Sequence, residues 1–408
     1  MGKPQSDRSW ETQIVLLVCA KKHPMSTSSL ACSQFRMPTA LRDILLAVVA
    51  SKRTKPLGYA LLSVLIFVMM ASMFGWLRMA TVAYHHLARR MHQCPGTQEV
   101  PAYHHQHRPI TLVTGYFRIQ SKHSVEEYLD WIELFLLWIR TPTVVYTNNR
   151  TVLDTPKFSS ILLHREEWVP GRTRLRFLDL ERTGLAREFG AILRQQETMD
   201  SERGKGHNYN LYLAWLVKLE ALMDAARLNF FSSQWFMWSD MGALRYTHRY
   251  CDWPSLEQLN RVPHDRILMG LLKAFDRHFD NQPSRWADAT RNSSQWLVPG
   301  RSELIDSDHI IGTFIAFNTK KNVHKQFYKA LRDTYRRLIA VPHSIVKDQT
   351  VYNAMFLLHR HLFALVPSAG GSGSEMWRYL QHWLSSANER RQDGAPLQPL
   401  LVPAEQSQ

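Results

Sequence analysis

The chain has 408 residues, with 50 Lys and Arg against 35 Asp and Glu and a formal net charge of +15 at pH 7; its isoelectric point is near 9.7. Such an excess attracts polyanions. No basic stretch with interleaved aromatics and no nucleic-acid module accompanies it, so the sequence argues against nucleic acid and for anionic membrane lipid or a diphosphate-bearing ligand as the partner.

Residues 1–56 form a basic tail in which the apolar runs Ile14–Val18 and Ile44–Ala50 are too short to span a bilayer. Leu57–Leu77 carries no charged side chain, and about 20 apolar residues suffice for a helix to cross the hydrocarbon core. It is read as a transmembrane helix. Lys52, Arg53 and Lys55 precede it and Arg78, Arg89 and Arg90 follow, a balance that favours a cytosolic N-terminus and a single-pass type II topology. A cleaved signal peptide fits less well, because the span begins far from Met1 and exceeds a signal core in length.

Residues 78–109, rich in histidine (His85, His86, His104, His105, His107) and without a sustained apolar period, read as a stem. The four cysteines, Cys19, Cys32, Cys94 and Cys251, are too few for a disulfide framework. Cys94 and Cys251 either pair across stem and domain or remain free thiols. The sequons Asn149-Arg150-Thr151 and Asn292-Ser293-Ser294 both follow the span, which suits a domain in the lumen of the Golgi or endoplasmic reticulum.

Residues 110–368 suffice for one large domain, with 369–408 as a C-terminal helix and flexible tail. The domain opens on an apolar strand, Ile110–Thr114, ending at Gly115-Tyr116-Phe117. Ser124 and Glu127 then form a capping box ahead of a helix whose apolar face is Val125, Tyr128, Ile132, Phe135, Leu136 and Ile139. Thr143–Asn148 reads as a second strand and Ser160–His164 as a third. Strand, helix and strand with short joins imply parallel pairing. A helix follows from Asn208 to Ala226; the strand Ile310–Asn318, a helix from Val323 to about Leu338 and another through Leu357 complete the series.

The most informative stretch is Trp235–Arg245, an apolar aromatic run that stops on Ser239-Asp240. It reads as a buried strand delivering a carboxylate to its C-terminal end, where open α/β sheets bind ligands; the plain alternative is a strand followed by a turn that Gly242 bends. Thr114 and Gly115 let a backbone loop approach a nucleotide, or simply end a strand. Lys218 is either a phosphate contact or a solvent-reaching lysine. Asp348 is either an acid at the reacting centre or a carboxylate placed on a helix dipole.

In order and spacing, Thr111–Phe117, Tyr212-x-x-Trp215-x-x-Lys218, Trp238–Gly242, Ile311-Gly312-Thr313 and Lys347–Thr350 resemble the HtrL/YibB-like family and, more loosely, nucleotide-sugar transferases of the glycosyltransferase-A fold. The resemblance covers most of Ile110 to Pro367. It implies an α/β fold, a single Rossmann-like glycosyltransferase-A-type domain with a mostly parallel sheet, and transfer from a nucleotide-sugar donor to a glycan or protein acceptor. By it, Asp240, Gly242, Arg245, Lys218, Thr114 and Gly115 are donor-binding candidates and Asp348 the catalytic candidate.

Transferases of this fold usually hold Mn²⁺ or Mg²⁺ with an Asp-x-Asp pair, whose carboxylates neutralise the donor diphosphate through the ion. Here the second position is Gly242. Asp240 is the metal candidate, alone or with a distant His359, His361 or His382; Asp306-Ser307-Asp308 is the alternative acidic pair. Metal independence, with Arg245 and Lys218 supplying the charge, is the third reading. Gly242 also supports a different class of function, a catalytically silent membrane-anchored module that binds glycans or proteins.

Overall fold

The computed structural model describes residues 109–243, 253–273, 275, 309–340, 344–368, 374–387 and 400–402. Leu57–Leu77, Asn292, Cys94 and Cys251 lie outside these. Among the described residues no helix is long and apolar enough to cross a membrane.

The chain builds β1 (Ile110–Gly115), α1 (Val125–Trp138), β2 (Thr143–Thr147), α2 (Asn149–Asp154), α3 (Pro156–Trp168), β3 (Thr173–Phe177), α4 (Gly184–Gln196), α5 (Tyr209–Leu228) and β4 (Trp235–Ser239). Then come α6 (Leu256–Leu259), β5 (Ile267–Leu271), β6 (Ile310–Asn318), α7 (Val323–Ile339), α8 (Asp348–Leu358), β7 (Phe363–Pro367) and α9 (Ser374–Trp383). The seven strands form one sheet in the order β3-β2-β1-β4-β6-β5-β7. β1, β2, β3 and β4 pair in parallel, as do β5 and β7. Only β6 runs against its neighbours β4 and β5. The fold is thus α/β around a mostly parallel sheet, as the order of strand and helix signals implied.

Both faces of this sheet are covered, which is why its inner strands are buried along almost their whole length rather than on alternate residues. Val113 and Trp238 point to one core with Leu216, Phe327 and Met355 of α5, α7 and α8. Leu112 and Met237 point to the other with Ile132, Phe158 and Trp383 of α1, α3 and α9. The C-terminal helix expected beyond residue 368 therefore belongs to the domain core, where Trp383 is wholly buried. Leu401 adds a bridge to Leu365 of β7.

The capping box forms as read: Ser124 Oγ accepts from the Glu127 N–H, and Glu127 accepts from the Ser124 N–H. The third strand is corrected. Ser160–His164 lies inside α3, where Pro156 occupies the first turn and Phe158, Ile161, Leu162 and Arg165 recur at helical spacing on the buried face. β3 is Thr173–Phe177 instead, an edge strand whose inward Thr173 and Leu175 alternate with Arg174 and Arg176.

The strand order reverses direction beside β1. The chain winds outward from β1 to β2 and β3, then returns through α4 and α5 to β4 on the other flank of β1. A crevice opens there, beyond the carboxyl ends of β1 and β4, at the position where doubly wound sheets bind ligands.

Candidate functional site

The register Val113↔Trp238 brings Gly115, the last residue of β1, level with Asp240 just past β4. Both line a cavity of about 500 Å³, together with Lys218, Gly242, Asp348 and Gln349. That volume falls within the range of small-molecule sites.

Three charged groups from three elements meet in its wall. Lys218 lies mid-way along α5 on its buried side, and its ammonium donates to Asp240 at 3.1 Å, to Asp348 Oδ2 at 3.1 Å and to the Gly312 carbonyl at 3.3 Å. The Lys218 and Asp348 side chains are 5% and 7% exposed, whereas that of Asp240 is 35% exposed and faces the cavity. The Trp238 indole Nε1 donates to Asp240 Oδ1 at 2.7 Å, and the Asp240 backbone N–H extends the β4–β6 ladder to Thr313. Asp348 is the first residue of α8; the helix start presents its carboxylate while the preceding Lys347 pairs with Glu202.

Burial pulls the Lys218 ammonium down, but the carboxylates of Asp240 and Asp348 outweigh it, and the group ends above its ordinary value. Burial raises the Asp240 carboxyl, against the opposing pull of Lys218 and the Trp238 indole. Two carboxylates thus share a single ammonium.

Two glycines shape the cluster. A Cβ on Gly312 would lie 2.8 Å from Asp348 Oδ2 and 2.5 Å from the Tyr352 ring, so only glycine lets Asp348 come down onto β6. A Cβ on Gly242 would stand 3.3 Å from the Trp131 ring, so a second aspartate there would need that ring to give by a few tenths of an ångström.

Of the sequence candidates, Asp240, Gly242, Gly115, Lys218 and Asp348 come together at the cavity. Thr114 is wholly buried inside β1. Arg245, Asp306 and Asp308 lie outside the described residues. His359 sits at the far end of α8 from Asp348, about 16 Å along the axis at 1.5 Å per residue, too far to share an ion with Asp240. Among the described residues no group of three His, Cys, Asp or Glu side chains stands close enough to hold a metal ion. Asp240 is the cavity carboxylate open to one.

A second polar group lines the cavity and escaped the sequence reading. His207 Nδ1 lies 2.9 Å from Asp200 Oδ2, which also accepts from the Tyr212 hydroxyl at 2.8 Å. Asp200 Oδ1 accepts from the Glu202 N–H at 2.8 Å. Burial pushes the Asp200 carboxyl up, but these hydrogen bonds outweigh it and hold it below its ordinary value. Asp200 and His207 fall in an irregular segment without period, so no sequence pattern marks them. Trp238 was missed as well, although residues two apart on a strand share a face, a signal that could have placed its indole beside Asp240.

No protein-family model and no curated protein matches the sequence. Among solved structures, one titled "PaToxG Glycosyltransferase" is similar at 9% sequence identity and a TM-score of 0.29, over 70% of this chain and 78% of that one. At that score the likeness is weak and assigns neither fold nor activity.

Proposed function

We propose that the chain is a membrane-anchored, single-pass type II glycosyltransferase that moves a sugar from a nucleotide-sugar donor to a glycan or protein acceptor in the lumen of the Golgi or endoplasmic reticulum. The observation that carries this reading is the meeting of Asp240 and Asp348 on Lys218, in the wall of a 500 Å³ cavity at the reversal point of the sheet. A binding cleft alone would not require two carboxylates brought from separate elements at the cost of desolvation.

In this reading Asp240, the more exposed carboxylate, faces the donor diphosphate and is the ligand for Mn²⁺ or Mg²⁺. When bound, the ion neutralises the diphosphate and its leaving charge. Asp348 faces the acceptor and, through Lys218, holds Asp240 in place. Gly115 lets the β1 backbone approach the nucleotide, and Lys122 at the cavity rim adds positive charge.

The silent-module reading is favoured by one observation, that both acids are already hydrogen-bonded to Lys218 within the protein. Incubating the full chain with UDP- and GDP-sugars and Mn²⁺ separates the two. Release of nucleoside diphosphate supports the transferase; binding without release selects the silent module. The proposed topology is tested in microsomes. Asn149, exposed in the first turn of α2, and Asn292 should acquire glycans, and protease added outside should spare everything after the span.

A further inference from the structure

The cavity contains an acid–base pair that the donor-facing carboxylates leave unused. His207 lines it, between a turn that supplies Asp200 and the start of α5, where its ring meets Trp215 edge-on at 5.2 Å. The turn is fixed from both sides. Asn208 caps α5 and donates to the Gln120 carbonyl at 2.9 Å, while Tyr212 from the next helical turn holds Asp200.

A carboxylate can only accept, so the proton between Asp200 and His207 resides on Nδ1. In the neutral ring the lone pair then lies on Nε2. Nε2 is 3.9 Å from Glu202, beyond hydrogen-bond reach, and Glu202 has its own cations in Lys347 and Lys205. Asp348, by contrast, has its Oδ2 held by Lys218 and a side chain only 7% exposed. Of the two, the imidazole is the group with no ammonium hydrogen-bonded to it among the described residues.

We propose that His207 is the base that takes the proton of the acceptor hydroxyl, with Asp200 as its positioning residue; this rests on the transferase reading above. In the step, the hydroxyl O–H bond breaks and its proton goes to Nε2. The oxygen forms a bond to the anomeric carbon of the donor, and the carbon–oxygen bond to the diphosphate breaks with its electron pair leaving on the nucleoside diphosphate. The imidazolium then releases its proton to water. A water molecule in the acceptor position undergoes the same step.

The test uses the full chain with UDP-glucose, UDP-galactose, UDP-N-acetylglucosamine and GDP-mannose, reading nucleoside diphosphate release with water as acceptor and, separately, UDP and GDP binding by calorimetry. His207→Gln should lower kcat by about 10²-fold or more with nucleoside diphosphate affinity unchanged, and should abolish the acid limb of the kcat–pH profile. Asp200→Asn should lower kcat less and displace that limb. The charged and titratable groups facing His207 are Asp200 and Glu202 from its own segment, Tyr212 from α5 and, through Glu202, Lys347 and Lys205. The displaced limb in Asp200→Asn therefore assigns it to the pair. Wild-type turnover in His207→Gln, or an acid limb that persists there, overturns the assignment to His207 alone. No turnover by the wild-type chain on any of the four donors overturns the transferase reading and this inference with it.

Discussion

Lys218 and Asp348, 130 positions apart, meet at 3.1 Å, and the same ammonium reaches Asp240 at 3.1 Å. One buried lysine therefore joins α5 to the end of β4 and the start of α8. Lys218→Met would leave two acids facing each other without a counter-ion. Breaking a buried pair by removing one partner costs about 3–5 kcal/mol, so urea unfolding should show a loss of that size. Adding Asp348→Asn to Lys218→Met should recover part of it, because one of the stranded charges is removed.

His324 gives the domain an acid-sensitive point away from the cavity. Its ring lies flat on Phe317, with centroids 4.8 Å apart, and its Nδ1 has no hydrogen-bond partner. Burial, with a smaller push from Lys325, holds it down from 6.5 to about 4. The folded state binds this proton more weakly than the unfolded chain. Its contribution to stability is therefore complete above pH 6.5 and is lost as pH falls toward about 4. At ~1.4 kcal/mol per pH unit, that gap amounts to about 3 kcal/mol. Denaturant unfolding across pH 4–7 should show this loss in the wild type and a flatter profile in His324→Phe.

Arg165 is fully buried in α3, and among the described residues no carboxylate hydrogen-bonds to its guanidinium. It donates instead to the carbonyls of Leu136, Ile139 and Thr141 and to the hydroxyls of Thr143 and Thr173. Burial pulls it down to about 9. These acceptors belong to the end of α1, β2 and β3, so one side chain closes the last turn of a helix against two strands. Arg165→Met strands several acceptors at about 1–3 kcal/mol each and should lower stability by at least about 3 kcal/mol in the same assay. Arg165→Lys, which cannot reproduce the planar fork, should recover little of it.

The parts of this fold that were legible in the sequence are those in which one element states its own case. The run Trp235–Ser239 declared a buried strand by its unbroken apolar character, and Ser124 with Glu127 declared a helix start. β3 was missed because Thr173–Phe177 carries two arginines at the sheet edge, while the apolar triplet Ile161-Leu162-Leu163 imitated a strand over too short a stretch to show its helical period. At the site, Asp240 and Asp348 could each be singled out, but their junction on Lys218 depends on packing between elements distant in sequence. The pairing of Asp200 with His207 depends on the course of an irregular turn that no periodicity encodes.

Calorimetric titration of the full chain with UDP and GDP in the presence of Mn²⁺, comparing wild type with Asp240→Asn, tests the central claim most directly. The transferase reading predicts that the wild type binds at least one of the two. Asp240→Asn, folded by its unfolding transition, should bind more weakly by about 1.5–3 kcal/mol, the range for a hydrogen bond to a charged group, or about 10- to 100-fold in affinity. A wild-type chain that binds neither nucleotide, or an Asp240→Asn chain with unchanged affinity, would contradict the assignment of this cavity to a nucleotide-sugar donor.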